Sequence, residues 1–251
     1  MRFKNSIELR LWGRYALFSE PTTRIGGEKC SYPVPTYEAI KGVLESRYWK
    51  PTFIWYPDKL RVMHKIETES KGIRTLLYTP RTKKSKILYN DLSYYTYLVN
   101  VEYQIQAHFE WNERRPDLAF DRNENKHFFI AKRMLERGGR RDVYLGAREC
   151  QGYIEPCVFG EGKGDYDSTP GIPLGLMVHG FTYPDEGGDG VLKERLWRPV
   201  MKERGIIEFC RPEECPVVNP IKRSKIKTFT VGKNFSPVDE LAEEVERDGL
   251  A

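Results

Sequence analysis

An α+β fold is predicted by three features of the chain. At the start, Ile7, Leu9 and Leu11 alternate with Glu8, Arg10 and Trp12, which gives a strand one buried face. The stretch Val99 to Trp111 repeats that alternation more strongly, with Val101, Tyr103, Ile105, Ala107 and Phe109 on one face. Two segments with helix punctuation, 36–49 and 121–137, follow the first strand and the second in turn. In order the elements read β-α-β-β-α-β, a ferredoxin-like arrangement that RRM-type RNA binders share. The RRM's own aromatic signature is missing, so the order alone is weak evidence for RNA.

The first helix opens at Thr36, whose hydroxyl can cap it, and stops before Pro51. Tyr37, Ile40, Leu44 and Tyr48 form its apolar stripe. Strand material follows at Thr52–Tyr56 and Leu60–Ile66, then a polar, basic excursion from Glu67 to Asn90. In the second helix Asp121 and Glu124 match a capping box, and Ala131, Met134 and Leu135 recur at helical spacing. Gly138 and Gly139 end that helix, because glycine tolerates the left-handed turn of a C-cap. A basic turn, Arg140 and Arg141, leads into a short strand at Val143–Leu145. Beyond Arg148 short apolar runs alternate with Gly- and Pro-rich turns, which reads as an antiparallel β-rich extension with a short helix near 193–201. The acidic run 239–248 reads as a solvated helix or a frayed tail. The chain thus divides into 1–148 and 149–251.

With 251 residues, 39% of them hydrophobic, the chain can bury a substantial core. A net charge of +5 permits a polyanionic partner without demanding one. The cations cluster at Lys83, Lys84 and Lys86, at Arg140 and Arg141, and at Lys222, Arg223, Lys225 and Lys227. No run approaches the ~18 apolar residues of a membrane span, and the first residues read as a strand rather than a signal peptide. A cytoplasmic protein is expected. Five cysteines without a CxxC pair argue against a disulfide scaffold and a standard zinc site, although Cys210 and Cys215 could join Cys150 and Cys157 in a variant one.

No phosphate-binding loop, nucleophile elbow or HExxH motif occurs. Asp117, Asp121 and Glu124 have spacings compatible with magnesium, but capping explains two of them. His108 and His179 read as structural. The sharpest set is Tyr48, Lys126 and His127. Lys126 and His127 lie near a helix N-terminus, where unpaired N–H groups and the dipole favour an anion. Neighbouring Lys126 and the dipole would keep His127 neutral, poised to accept a proton. The bland alternative is that His127 packs beside Ile130, Ala131 and Met134, that Lys126 is solvated, and that Tyr48 is a core tyrosine. Such a set can cleave RNA without a metal or other cofactor. The 2′-oxygen, once deprotonated, attacks its own phosphate, and the products are a 2′,3′-cyclic phosphate and a 5′-hydroxyl.

Several long segments resemble one family. They are YALFSEP (15–21), IGGEKCSYPVPTYEAIKG (25–42), ESRYWKP (45–51), RPDLAFDRNENKHF (115–128), GGRRDVYLGARECQGYIEPC (138–157), MVHGFTYPDE (177–186) and RPEECPVV (211–218). The chain is similar to the precursor-crRNA endoribonucleases of type I-C CRISPR systems, the Dvulg subtype of the fifth Cas family within the RAMP superfamily. The resemblance implies a ferredoxin-like N-terminal domain with a β-rich extension. It also implies metal-independent cleavage of CRISPR repeat RNA at the 3′ base of its stem-loop. The protein would then stay on the 5′ handle of the crRNA, beside the backbone and large subunits of the surveillance complex. Duplex DNA is a further candidate partner, and a non-catalytic handle-binding subunit is the alternative. The family's catalytic trio falls on Tyr48, Lys126 and His127. Its Gly-rich loop falls on Gly138, Gly139, Arg140 and Arg141. Apart from the resemblance, Arg24 and Lys29 in the loop 13–35 suit RNA phosphate contacts, and equally could cover the edge of the core.

Overall fold

The computed structural model describes residues 4–24, 27–76, 90–138 and 141–248. The first part of the chain contributes β1 (Ile7–Ala16), β2 (Lys29–Cys30), helix α1 (Tyr37–Arg47), β3 (Phe53–Val62), β4 (Thr68–Leu76), β5 (Asn90–Trp111), helix α2 (Glu124–Glu136) and β6 (Val143–Tyr144). The remainder contributes β7 (Gln151–Pro156), β8 (Ile172–Pro173), β9 (Met177–Thr182), the one-turn α3 (Pro184–Gly187), β10 (Val191–Trp197), β11 (Val200–Met201), β12 (Ile206–Glu208), β13 (Val217–Arg223) and helix α4 (Val238–Asp248).

The main sheet is organised by β5, whose 22 residues pair with different strands along their length. Its second half lies antiparallel between β1 and β3, with Leu9 opposite Ile105 and Leu60 opposite the same residue on the other side. Its first half pairs with β4. The excursion from Glu67 is therefore a long hairpin over its described part, and the two strand pieces expected at 52–66 are one strand with a bulge between Pro57 and Lys59. Polar residues alternate outward there, so the pattern was too weakly apolar to read as strand. Lys83, Lys84 and Lys86 lie outside the described residues.

The sheet order is β12-β3-β5-β1-β7-β6. This corrects the expected βαββαβ pairing at one point. A ferredoxin-like sheet would place the last strand of the motif beside the first, but β7 takes that place and β6 pairs with β7 instead. Strands from beyond residue 148 thus join the sheet on both sides, β7 between β1 and β6 and β12 at the opposite edge. A second, three-stranded sheet, β13-β10-β9, forms most of the C-terminal part, and the helix expected near 193–201 is strand. Ile40 and Leu44 of α1 and Ile130, Ala131 and Leu135 of α2 bury against Leu9, Leu11, Tyr103 and Ile105 in one core. No described helix is long and apolar enough to cross a membrane.

Candidate active site

Thr36 caps α1 as expected, its hydroxyl accepting from the Ala39 N–H at 3.1 Å. The helix stops at Arg47, and Tyr48 leaves it with extended backbone. That turn points the Tyr48 ring down against Phe53 rather than along the exposed end of the stripe. It is 6% exposed. The Trp55 indole N–H fixes the corner by donating to the Tyr48 carbonyl at 2.8 Å.

The start of α2 differs from the capping-box expectation. Residues Pro116–Asp121 form a 3-10 turn that draws Asp121 inward, and Asn123 is the cap, its side chain accepting from the Lys126 N–H. Asp121 lies inside the protein, where its carboxylate accepts from the Thr52 hydroxyl at 2.7 Å and from the Val238 N–H. The carboxylate set suggested for magnesium does not form, because Asp117 is tied to Arg115 and Asp121 is committed to Thr52 and Val238.

His127 sits one turn into α2 and is fully buried, packed edge-on to Phe53, Phe109 and Trp111. Its Nε2 is 2.8 Å from the Asp121 carbonyl oxygen, and its Nδ1 is 2.7 Å from the Tyr48 hydroxyl. A carbonyl has no proton to give, so Nε2 carries the hydrogen and donates. Nδ1 is then the acceptor, and Tyr48 O–H donates to it. The His127 pKa is lowered, first by burial and further by the Lys50 ammonium, with the Asp121 carbonyl opposing. The neutral imidazole is thus favoured chiefly by burial, whereas the sequence pointed to Lys126 and the helix dipole.

Lys126, by contrast, is not buried: its side chain is 40% exposed and its ammonium meets the Asp239 carboxylate of α4 at 2.6 Å. Next to it, Ser236 accepts a hydrogen bond from Lys50 through its carbonyl. The start of α4 and the residues before it therefore meet Lys126, Lys50 and Asp121, the groups around the Tyr48–His127 pair. Of the expected trio the structure joins Tyr48 and His127 by a hydrogen bond, and the sequence did not reveal Asp121 and Thr52 as their supports.

A separate groove of about 890 Å³ opens beside α1. Arg24 and Lys29 line it together with Tyr32, Ser46, Asp142 and Tyr144. Lys29 stands over the Tyr95 ring at 4.6 Å, and Arg24 donates to the Ser19 hydroxyl. Gly138 ends α2 at φ +86° as expected, and Arg141 is exposed at the edge of the following turn. Gly139 and Arg140 lie outside the described residues. Gly146, at φ +88°, brings the chain so close to the Leu17 carbonyl that an added Cβ would sit 2.1 Å from its oxygen. Glycine is thus required where the strand after the basic turn meets the end of β1.

Among the described residues one group of metal-ligand type gathers, His179, Cys210 and Cys215, with donor atoms within 4.8 Å of one another. Cys150 and Cys157 are not in it. The His179 Nε2–H donates to the Cys210 carbonyl, and its Nδ1 accepts from Arg195. Both ring nitrogens are thereby engaged beside a guanidinium, a poor setting for a cation. The same surroundings suit a thiolate: the Cys210 thiol is drawn down to about 5, chiefly by a hydrogen bond from Cys215 and also by His179. His108 is structural, held between Asp58 and Glu110.

The model of the CRISPR-associated protein (Cas_Cas5) family, Cas5d type, matches residues 6–209. The CRISPR pre-crRNA endoribonuclease Cas5d of Thermus thermophilus is 29% identical over 185 residues, covering 72% of this chain and 76% of that protein. The protein of the same description from Mannheimia succiniciproducens is 30% identical over 151 residues, 53% of this chain, and the match spans 64% of its length. A crystal structure described as a CRISPR-associated protein superposes with a TM-score of 0.70 at 36% identity, covering 85% of this chain and 96% of the other. The family match covers most of the chain, so the chain belongs to the Cas5d family of CRISPR-associated proteins.

Proposed function

We propose that this protein is a metal-independent endoribonuclease that cuts CRISPR repeat RNA at the 3′ base of its stem-loop and keeps the 5′ handle. The observation that carries the reading is the hydrogen bond from the Tyr48 hydroxyl to the neutral Nδ1 of His127, with Nε2 anchored on Asp121. This is the arrangement of an activated hydroxyl, its base, and a group that orients the base. The names of the curated relatives support the substrate class.

In the proposed step the substrate 2′-hydroxyl gives its proton to Tyr48 Oη as the phenolic proton passes to His127 Nδ1. The 2′ oxygen attacks the phosphorus, and the ammonium of Lys126 neutralises charge on the phosphorane. The bond to the 5′ oxygen breaks as that oxygen takes a proton from water, leaving a 2′,3′-cyclic phosphate and a 5′-hydroxyl, and the His127 imidazolium returns its proton through Tyr48 to the solvent. Proton acceptor and cation are both side chains, so the step needs no metal. The sheet is read as a ferredoxin-like platform with β7 intercalated. Arg24, Lys29 and the basic turn of Arg140 and Arg141 would hold the RNA backbone, leaving the bound crRNA for the other type I-C subunits and duplex DNA as a further ligand.

The full burial of His127 favours a second reading, in which the pair is a core hydrogen bond and the protein only binds the handle. One experiment separates the two. Purified protein is incubated with the neighbouring repeat RNA in EDTA, and product ends are analysed. Cleavage to cyclic-phosphate ends, abolished by a 2′-deoxy substitution at the cut, supports the enzyme. Binding without cutting supports the scaffold, and cutting lost in EDTA would show a metal-dependent nuclease.

A further inference from the structure

The Tyr48–His127 pair cannot meet RNA as it stands, because His127 is fully buried and Tyr48 nearly so. The chain's own C-terminal segment is tied to three groups around the pair, Lys50, Asp121 and Lys126. Phe235 and Val238 are buried, Phe235 lying against Phe120 and under the Lys50 ammonium. The Val238 N–H donates to the carboxylate of Asp121, the same residue whose carbonyl holds His127. Lys50 donates to the Ser236 carbonyl. Asp239 places a carboxylate on the Lys126 ammonium at 2.6 Å.

We propose that residues 235–239 are a tethered occluder of the cleavage centre, with the Asp239 carboxylate holding the Lys126 subsite that the scissile phosphate takes in the complex. The proposal rests on the reading that Tyr48, Lys126 and His127 cut RNA. A carboxylate and a phosphodiester are both anions that accept from an ammonium, so the two compete for one place. The Lys126–Asp239 pair is exposed, at 40% and 69%, and such a pair is weak and screened by salt. A phosphate backbone that also engages Arg24, Lys29 and Arg141 gains counterion release that a lone carboxylate does not. The tether is built to yield: residues 224–234 carry almost no regular structure and are nearly all exposed. Displacement would open the pair only when RNA is present, and would otherwise keep its imidazole neutral and dry.

The test uses the full chain. Hydrogen–deuterium exchange is followed over residues 235–241, free and bound to repeat RNA carrying a 2′-deoxy group at the cut. Exchange faster by about an order of magnitude in the complex is expected, whereas unchanged or slower exchange would overturn the occluder. In parallel, Asp239→Asn should raise the cleavage rate at subsaturating RNA by about two- to fivefold, the weight of an exposed ion pair, and leave the rate at saturation unchanged. A fall in cleavage would instead make Asp239 part of the machinery. Wild-type cleavage with residues 235–241 still protected sinks the occluder alone. Wild-type binding without cleavage sinks the catalytic reading and the occluder with it.

Discussion

Replacing Tyr48 with Phe removes a single oxygen and tests the centre most directly. The ring keeps its packing on Phe53, with centroids 5.5 Å apart. His127 Nδ1, 2.7 Å from the lost hydroxyl, is then left without that donor inside the protein. Losing the bond and stranding a buried acceptor costs about 1–3 kcal/mol. That is small against a typical stability of about 5–15 kcal/mol, so the variant should fold. A core hydrogen bond predicts that stability loss and nothing more. A proton relay predicts in addition a cleavage loss of about 10²–10⁴-fold, the usual weight of a proton-transfer group. The assay is single-turnover cleavage of repeat RNA with enzyme in excess, with the urea midpoint and RNA affinity measured on the same preparation. A lowered midpoint with a rate within about threefold of wild type, under 1 kcal/mol of barrier, would refute the relay.

Three further outcomes are expected. His127→Ala and Lys126→Ala should each lower cleavage at least about a hundredfold with RNA affinity by filter binding nearly kept; equal loss of binding would mean a docking surface. Replacing Arg24, Lys29 and Arg141 with Ala should do the reverse, weakening affinity and flattening its salt dependence by about 0.7 in log–log slope for each single-strand phosphate no longer neutralised. The third concerns pH. The folded His127 binds protons more weakly than its ordinary value of 6.5. Between its lowered folded pKa and 6.5 the unfolded chain therefore holds more protons, so this contribution is complete above 6.5 and is lost as pH falls through that window. Urea midpoints of wild type and His127→Gln should converge as pH drops from neutral, and a constant difference would show that His127 is not buried neutral.

Much of the site was legible because it depends on local rules. Thr36 fixes where α1 begins, the chain leaves the helix at Tyr48 ahead of Pro51, and Gly138 fixes where α2 ends. These are punctuation marks whose chemistry acts within a few residues. Asp121 was misread because Asp121 and Glu124 have the spacing of a capping box, while the 3-10 turn that pulls Asp121 inward depends on packing with Thr52 and Val238, far away in sequence. The same holds for β7. Gln151–Pro156 alternates too weakly to announce that it, rather than β6, pairs with β1, since that choice is made by the whole sheet. The acidic run at 239–248 reads as solvated on composition alone, yet Val238 just before it donates to Asp121 and Asp239 at its start meets Lys126.

The burial that argues against catalysis at first sight is also what would make the pair reactive. In water an imidazole near its ordinary pKa is partly protonated at neutral pH, and its two tautomers exchange. Here the Asp121 carbonyl selects the Nε2–H form, and burial with Lys50 disfavours the charged one. Nδ1 is thereby held as an acceptor aimed at one phenol. Opening the site by permanently removing its cover would expose the imidazole to water and give up part of that tuning. A cover that RNA itself replaces keeps the pair desolvated in both states, since the ribose and phosphate would fill the space that Phe235 and Val238 leave. Removing the cover by substituting both residues should therefore raise the His127 pKa in the free protein, read by NMR titration. The free protein would lose the neutral base, while the RNA complex would recover it.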